Sequence, residues 1–479
     1  MKVAIIGAGY VGLITALGLA RLGRQCVCVE KNPARLSALR RGEVFFHEPG
    51  VPELLAEVRR TDRFSVTDDL DAALVGAEVA MIAVGTPSNE AGIDLTDVRA
   101  VAAEVGARLA RADRYVVVAV KSTVIPGSTD GAVREEIERA SSLQLGEFGL
   151  AMTPEFLREG SAVSDFLNPD RIVIGAADDR AAEVVARLFE GFACPVLRTT
   201  LRNAEMIKYA SNALLACLVS FSNEVARVCE RCEGLDEETV MRGVHLDRRF
   251  SVSAAGAQRA APALLAYLRA GVGYGGSCFP KDVRALETFE RSLGLEPHLL
   301  AAVRAINEAR AGEVIDLMER TLRRSAAGLR IAVLGLAFKP DTDDIRESPG
   351  LRMAQELARR GADVIAHDPM VTAAVLGRSA LTSPACAESL ADALAGAHAA
   401  IIATSWPQYK AADWPNLTKR MQHPLVLDGR QVIEPAQRGR NFVYAATGTS
   451  AAIGPFMEGK QSRDAELTQP DPQLRSLRK

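Results

Sequence analysis

The chain has 479 residues, 48% of them hydrophobic, with 57 basic and 60 acidic side chains and a formal net charge of −3. That length exceeds a single core and predicts two or three domains, while the balanced charge leaves no reason to expect a nucleic acid as partner. No apolar run reaches the roughly 18–20 residues of a membrane helix, so no membrane association is expected.

KVAIIGAGYVG opens with a strand at Met1 itself, leaving no room for a signal peptide, and runs into glycines. LITALGLARLG continues with helical spacing and QCVCVE reads as a second strand. Apolar runs at 79–85, 115–123 and 148–155 alternate with helical segments, which predicts a parallel, doubly wound sheet. From Arg202 to Glu233 there is neither proline nor glycine, so one helix of nearly 50 Å is predicted at ~1.5 Å per residue. Thr199 or Thr200 would cap it and Gly234 would end it. A rod of that length joins domains or forms an oligomer interface.

RIAVLGLAFKPDTDDIRES (330–348) restarts the strand–loop–helix pattern, with further strands at 362–369, 399–405 and 424–430. This second half reads as a decayed copy of the first, keeping Gly335 but not the other glycines of the opening turn. The predicted fold class is α/β: two Rossmann-like doubly wound domains (1–200 and 326–458) joined by a central helical domain (201–325). Residues 459–479 are polar and are expected to be a disordered tail. Eight scattered cysteines fit a reducing, cytoplasmic setting rather than a disulfide framework.

Gly7, Gly9 and Gly12 form GxGxxG between a strand and a helix, with Tyr10 and Val11 inside the motif and Glu30 closing the next strand. In that context the motif predicts a dinucleotide site: Gly7 allows the turn, Gly9 admits pyrophosphate, and Gly12 packs helix on strand. Glu30 would accept ribose hydroxyls and repel a 2′-phosphate, favouring NAD over NADP, although Arg35 nearby would tolerate that phosphate.

GVGYGGSCFPKD (271–282) frames Cys278 with glycines, places Pro280 at the start of a helix and sets Lys281 close by. Glycines suit close ligand approach, and a helix N-terminus with a lysine favours thiolate, so Cys278 is expected to be reactive rather than a small core residue. A nucleophile has no task in oxidising an alcohol, but it has one at the aldehyde level. There it forms a thiohemiacetal that yields a second hydride, then a thioester that water cleaves.

GYGGSCFPKD, PEFLREG (154–160), NPDRIVIG (168–175), KYASNA (208–213) and GLAFKPDTDDIRES (335–348) occur in one order across about residues 1–445. Together they closely resemble the UDP-glucose/GDP-mannose dehydrogenase family. The resemblance implies a four-electron oxidation of a sugar C6 alcohol to carboxylate with NAD, on UDP-glucose as substrate, in a homodimer formed through the central helix. It assigns Cys278 as nucleophile, Asp282 as its partner in proton handling, and Lys208 with Asn212 as holders of the C6 oxygen. Glu155 becomes the acid/base for the hydrolytic water, placed with help from Thr123. Thr86, Thr123, Glu159, Lys281 and Arg346 become cofactor contacts. Phe156, Leu157, Tyr274, Gly275, Phe338, Lys339 and Arg430 become substrate contacts, and Arg249 reaches a neighbouring subunit's substrate.

The stretch between Phe250 and the glycine loop is longer than the family pattern. Cys229 and Cys232 lack the further ligands of a metal site, and no metal is expected. His298 and His367 receive no role. The competing readings are the same chemistry on GDP-mannose or a UDP-N-acetylhexosamine, a two-electron hydroxyacid dehydrogenase, and a non-catalytic NAD or nucleotide-sugar sensor.

Overall fold

A computed structural model describes residues 1–89, 92–112, 114–250, 262–378 and 384–455. The predicted tail and most of the long stretch after Phe250 lie outside these. Among the described residues no helix is long and apolar enough to cross a membrane.

The first sheet has eight strands. Their order is Val196–Thr199, Ile172–Ala176, Gly149–Met152, Val117–Val120, Val79–Ile82, Lys2–Ile6, Gln25–Val29 and Phe64–Thr67. Because neighbouring strand residues point to opposite faces, Val3 and Ile5 enter one core while Ala4 and Ile6 enter the other. Both faces are covered, which is why these strands read as continuous apolar runs. The predicted all-parallel sheet needs one correction: Gly149–Met152 pairs antiparallel with Ile172–Ala176, through Ala151 opposite Ala176.

The second sheet is wholly parallel, in the order Ala385–Cys386, Asp363–His367, Arg330–Leu334, Ala399–Ile402, Leu425–Asp428 and Val443–Ala446. Its last strand was not among the predicted ones. It preserves more of the opening turn than its sequence suggests. Gly335 has φ +104°, beside +102° for Gly7. A Cβ on Gly350 would lie 2.0 Å from the Gly335 carbonyl oxygen, as one on Gly12 would lie 1.9 Å from that of Gly7. Gly350 therefore keeps the packing role of the third glycine, and the intervening loop, 336–348, is an insertion that hides it. Asp368, at the strand end equivalent to Glu30, accepts from the Leu336, Ala337, Met370 and Val371 amides and from the Trp406 indole. Five such bonds commit this carboxylate to the surrounding backbone and the Trp406 indole.

The long helix runs Leu201–Cys229, 29 residues, with the Thr200 side chain capping the Asn203 amide. It stops before the predicted Glu233, and a turn precedes Gly234, whose φ is +82°. A second long helix, His298–Leu322, escaped the sequence reading. It packs against both the first long helix and the helix Pro349–Arg359. With neighbours on several sides it needs no single apolar stripe, so its periodicity is weak.

Candidate active site

The glycine turn is shaped for a dinucleotide. Gly7 occupies a left-handed conformation, and Gly12 abuts its carbonyl. A Cβ on Gly9, at the N-terminus of the helix Tyr10–Arg21, would meet nothing within 4 Å. Amides at that open helix end suit a pyrophosphate, so the residues present fit NAD. Val11 is half-buried in the first turn of the helix. The Tyr10 hydroxyl donates to Glu48 at 2.5 Å, and Glu48 also accepts the Gly160 and Ala162 amides. Sequence reading missed Glu48, a buried carboxylate that ties the glycine turn to the end of PEFLREG and the start of the helix Ala162–Leu167. Glu30 is buried and accepts the Asn32 amide at 2.8 Å. The Arg35 guanidinium rests over the Phe45 ring, 5.0 Å from its centroid. The Thr86 hydroxyl donates to the Thr123 carbonyl, joining the ends of two neighbouring strands beside this turn.

The cysteine loop lies where three parts of the chain meet. A Cβ on Gly275 would sit 2.4 Å from the Glu347 carbonyl oxygen, and one on Gly276 would sit 2.8 Å from the Phe338 ring. Its glycines thus admit the inserted loop 336–348, a use of the space that sequence alone assigned to a ligand. The Gly276 amide donates to the Arg346 carbonyl. Asn307 clasps both backbone groups of Tyr274. Arg430 reaches from the second sheet to the Gly273 and Ala403 carbonyls.

Cys278 caps the helix Phe279–Ser292, with Pro280 in its first turn. Its electrostatic surroundings run against the bias toward thiolate expected from the helix N-terminus and Lys281. Burial pushes the thiol up to about 11, with Glu155 and Asp282 adding to the rise and Lys208 opposing it. Lys281 does not serve the sulfur; its ammonium bonds Asp282 at 2.5 Å. The surroundings of the sulfur in this structure thus favour the protonated thiol.

Around it stands a buried charge cluster. Lys208 and Asn212 lie one turn apart on the long helix, facing inward. The Lys208 ammonium lies 2.7 Å from Glu155, and Asn212 donates to Asp282 at 2.6 Å. Burial pushes Glu155 up, but Lys208, the Leu157 amide and Lys121 outweigh it and hold the carboxyl below its usual range. Burial likewise pulls Lys208 down, and Glu155, followed by Cys278 and Asp282, more than restores it. Phe156 lies under Arg171, its ring centroid 3.9 Å from the guanidinium carbon. Lys121, the lysine of VKST, also belongs here, and its only sequence signal was a charge at the end of a buried strand.

A second cluster adjoins the sulfur. Ser277 donates to Glu159 at 3.0 Å, and its oxygen lies 3.6 Å from the Cys278 sulfur. Burial raises Glu159 to about 7, and Asp344 adds to the rise against Arg346 and Ser277. Arg346 pairs with Asp344 at 2.7 Å and with Glu159 at 3.5 Å. Burial lowers Lys339, with Glu159 and Glu48 opposing. Of the predicted site residues Arg249 stands apart: it is exposed and pairs with Asp247 at 2.6 Å.

Residues 1–193 match the NAD binding domain of the UDP-glucose/GDP-mannose dehydrogenase family, 202–309 its central domain and 332–435 its UDP binding domain. The chain is 40% identical over 440 residues to the UDP-glucose 6-dehydrogenase AglM of Haloferax volcanii, covering 90% of this chain and 97% of that protein. Its structure is similar to a UDP-glucose dehydrogenase from the archaeon Pyrobaculum islandicum, with TM-score 0.82, 39% identity, and 94% and 98% of the two chains covered. It is also similar to the UDP-D-ManNAc dehydrogenase of Pyrococcus horikoshii, with TM-score 0.80, 26% identity, and 94% and 100% covered. A dinucleotide cradle and a half-buried thiol beside a buried charge cluster, carried on a chain matched over nearly its whole length, lead to one assignment: the chain belongs to the UDP-glucose/GDP-mannose dehydrogenase family.

Proposed function

We propose that this chain oxidises C6 of UDP-glucose to the carboxylate of UDP-glucuronate, consuming two NAD and one water. The observation that carries this reading is the convergence of the half-buried Cys278 with the buried Lys208, Asn212, Asp282 and Glu155 in one cluster. A simple alcohol dehydrogenase has no use for the thiol, and a sensor has no use for the set. The identity of the sugar rests on the relatives that act on UDP-glucose. NAD, when bound, accepts the hydride in each of the two oxidations.

The protein's own groups supply the rest. At the aldehyde, the Cys278 sulfur forms a bond to C6, the thiol proton passes to Asp282, and the oxygen gains negative charge. Lys208 and Asn212 place an ammonium and an amide donor against that charge, stabilising it in a water-poor site. Once the second hydride has left, the sugar is held as a thioester. Glu155 then takes a proton from water, the water oxygen bonds to C6, and the C6–sulfur bond breaks. Lys339 and Arg430 serve the diphosphate end of the substrate, and Glu159 with Arg346 lies on the cofactor side. The division of labour follows three units, 1–200, 201–325 and 326–458.

The test is a count of NADH formed per sugar consumed, read by absorbance in single-turnover conditions. Two per sugar supports this reading; one reduces the chain to a two-electron dehydrogenase.

The chain also works as a homodimer through its long helix. Leu214, Phe221 and Val228 are all exposed and recur every seven residues, an apolar seam along one helix face. A second copy of the same helix is the self-complementary occupant of such a seam. Phe221→Glu is expected to halve the mass measured by sedimentation, whereas an unchanged mass places the interface elsewhere.

A further inference from the structure

We infer that Lys121 is a positioning residue for the hydrolytic half of the reaction, keeping Glu155 ionised while Lys208 is engaged by the sugar oxygen. The inference rests on the reaction proposed above. Lys121 follows the strand Val117–Val120, its side chain is buried, and its ammonium makes one long hydrogen bond, 3.4 Å to the Thr153 carbonyl. An ammonium carries three donors, and this contact engages only one. Lys121, Thr153 and Glu155 line one partly open cavity of about 190 Å³, so the two charged residues border a common space. The buried Thr153 hydroxyl has no hydrogen-bond partner among the described residues.

The charges around Glu155 come from several elements. Lys208 meets it from the long helix, Lys121 from the strand end, and the Leu157 amide from its own loop. Cys278 at the cap of the helix Phe279–Ser292 and Tyr10 in the first helix also feel its charge. Lys208 answers in turn to Glu155, Cys278 and Asp282. Burial lowers Lys121 to about 8, with Glu155 pulling it up and Lys208 pushing it down. It is thus still mostly protonated at neutral pH.

Two buried ammoniums therefore act on one carboxylate, Lys208 in direct contact at 2.7 Å and Lys121 through its charge from farther off. For structure alone one would do, since each buried cation carries a desolvation penalty. The second becomes necessary when the first is drawn away. With the acyl group on sulfur, Lys208 faces the C6 oxygen, and Glu155 would otherwise be a lone buried carboxylate that gains a proton. In hydrolysis the water oxygen bonds to C6, the C6–sulfur bond breaks, and one water proton goes to Glu155. A protonated Glu155 cannot take it.

The test compares Lys121→Met, Lys121→Gln and Lys121→Arg in the full chain with NAD and UDP-glucose. In both uncharged variants the first NADH burst should stay within about threefold, while steady turnover falls roughly 10–100-fold and an acyl adduct accumulates on Cys278. The acidic limb of the kcat profile should move up by about 1–2 pH units, because Glu155 without its second cation ionises only at higher pH. Lys121→Arg should leave that limb in place. The inference is overturned if the limb stays put in the uncharged variants, if it moves equally in Lys121→Arg, or if burst and steady rate fall together. Should Lys121→Met fail to fold, as judged by thermal unfolding, Lys121→Gln carries the comparison. One NADH per sugar in the unmodified chain would defeat the reaction itself; two NADH with an unmoved limb would defeat only the role of Lys121.

Discussion

Cys278→Ser is expected to cut steady-state NADH formation by at least about 10³-fold, the scale on which removal of a nucleophile acts. Sugar and cofactor affinity, measured by calorimetry, should change little, because the substitution removes no charge and almost no volume. The loss has two sources. A hydroxyl is a weaker nucleophile than sulfur, and the ester it forms resists hydrolysis more than a thioester. The raised thiol pKa sharpens this expectation: in the proposed reaction the surroundings of Cys278 favour the thiol, so its contribution would come at the moment of addition, with Asp282 taking the proton and Lys208 facing the oxygen. Turnover within about tenfold of the unsubstituted chain would rule out the thioester route.

Glu155→Gln should separate the two halves of the reaction. Oxidation to the acyl stage continues, hydrolysis slows by about 10²–10⁴-fold, and intact-mass measurement finds a sugar adduct on Cys278. A stability loss accompanies it. Glu155 and Lys208 are both buried, and removing one partner of such a pair costs about 3–5 kcal/mol. Lys208 then loses the largest charge opposing its desolvation, with Cys278 and Asp282 remaining, and its pKa falls. Rates should therefore be read well below the lowered unfolding temperature. Reduced turnover with no adduct at any time point would mean that Glu155 acts before acyl transfer, not after it.

The same cluster shows how far sequence reasoning reaches. The glycine turn at Gly7, Gly9 and Gly12 was legible because the cradle is built from contiguous residues between a strand and a helix, so its geometry is a local property. The pairing of Lys208 with Asn212 on one helix face was legible for the same reason. The second glycine turn was only half legible: Gly350 lies far from Gly335 in sequence, and its role emerges where its Cβ position meets the Gly335 carbonyl. Glu48 and Lys121 carried no motif of their own. Their importance comes from what they face, which is set by segments remote in sequence.

Lys281 illustrates the opposite error. Its nearness to Cys278 in sequence suggested an ammonium beside the sulfur, yet on the helix it turns to Asp282. The cation that acts on the thiol is Lys208, from the long helix, and it is opposed by Glu155, from the end of a strand in the first sheet. The amino-acid sequence by itself determined the repeating α/β units, the dinucleotide turn and the placement of a cysteine at a helix cap. Each of these follows from short-range sterics and periodicity. Only the tertiary structure decided the electrostatic surroundings of that cysteine and the company it keeps, because desolvation and Coulomb interactions sum over every group brought near, whatever its place along the chain.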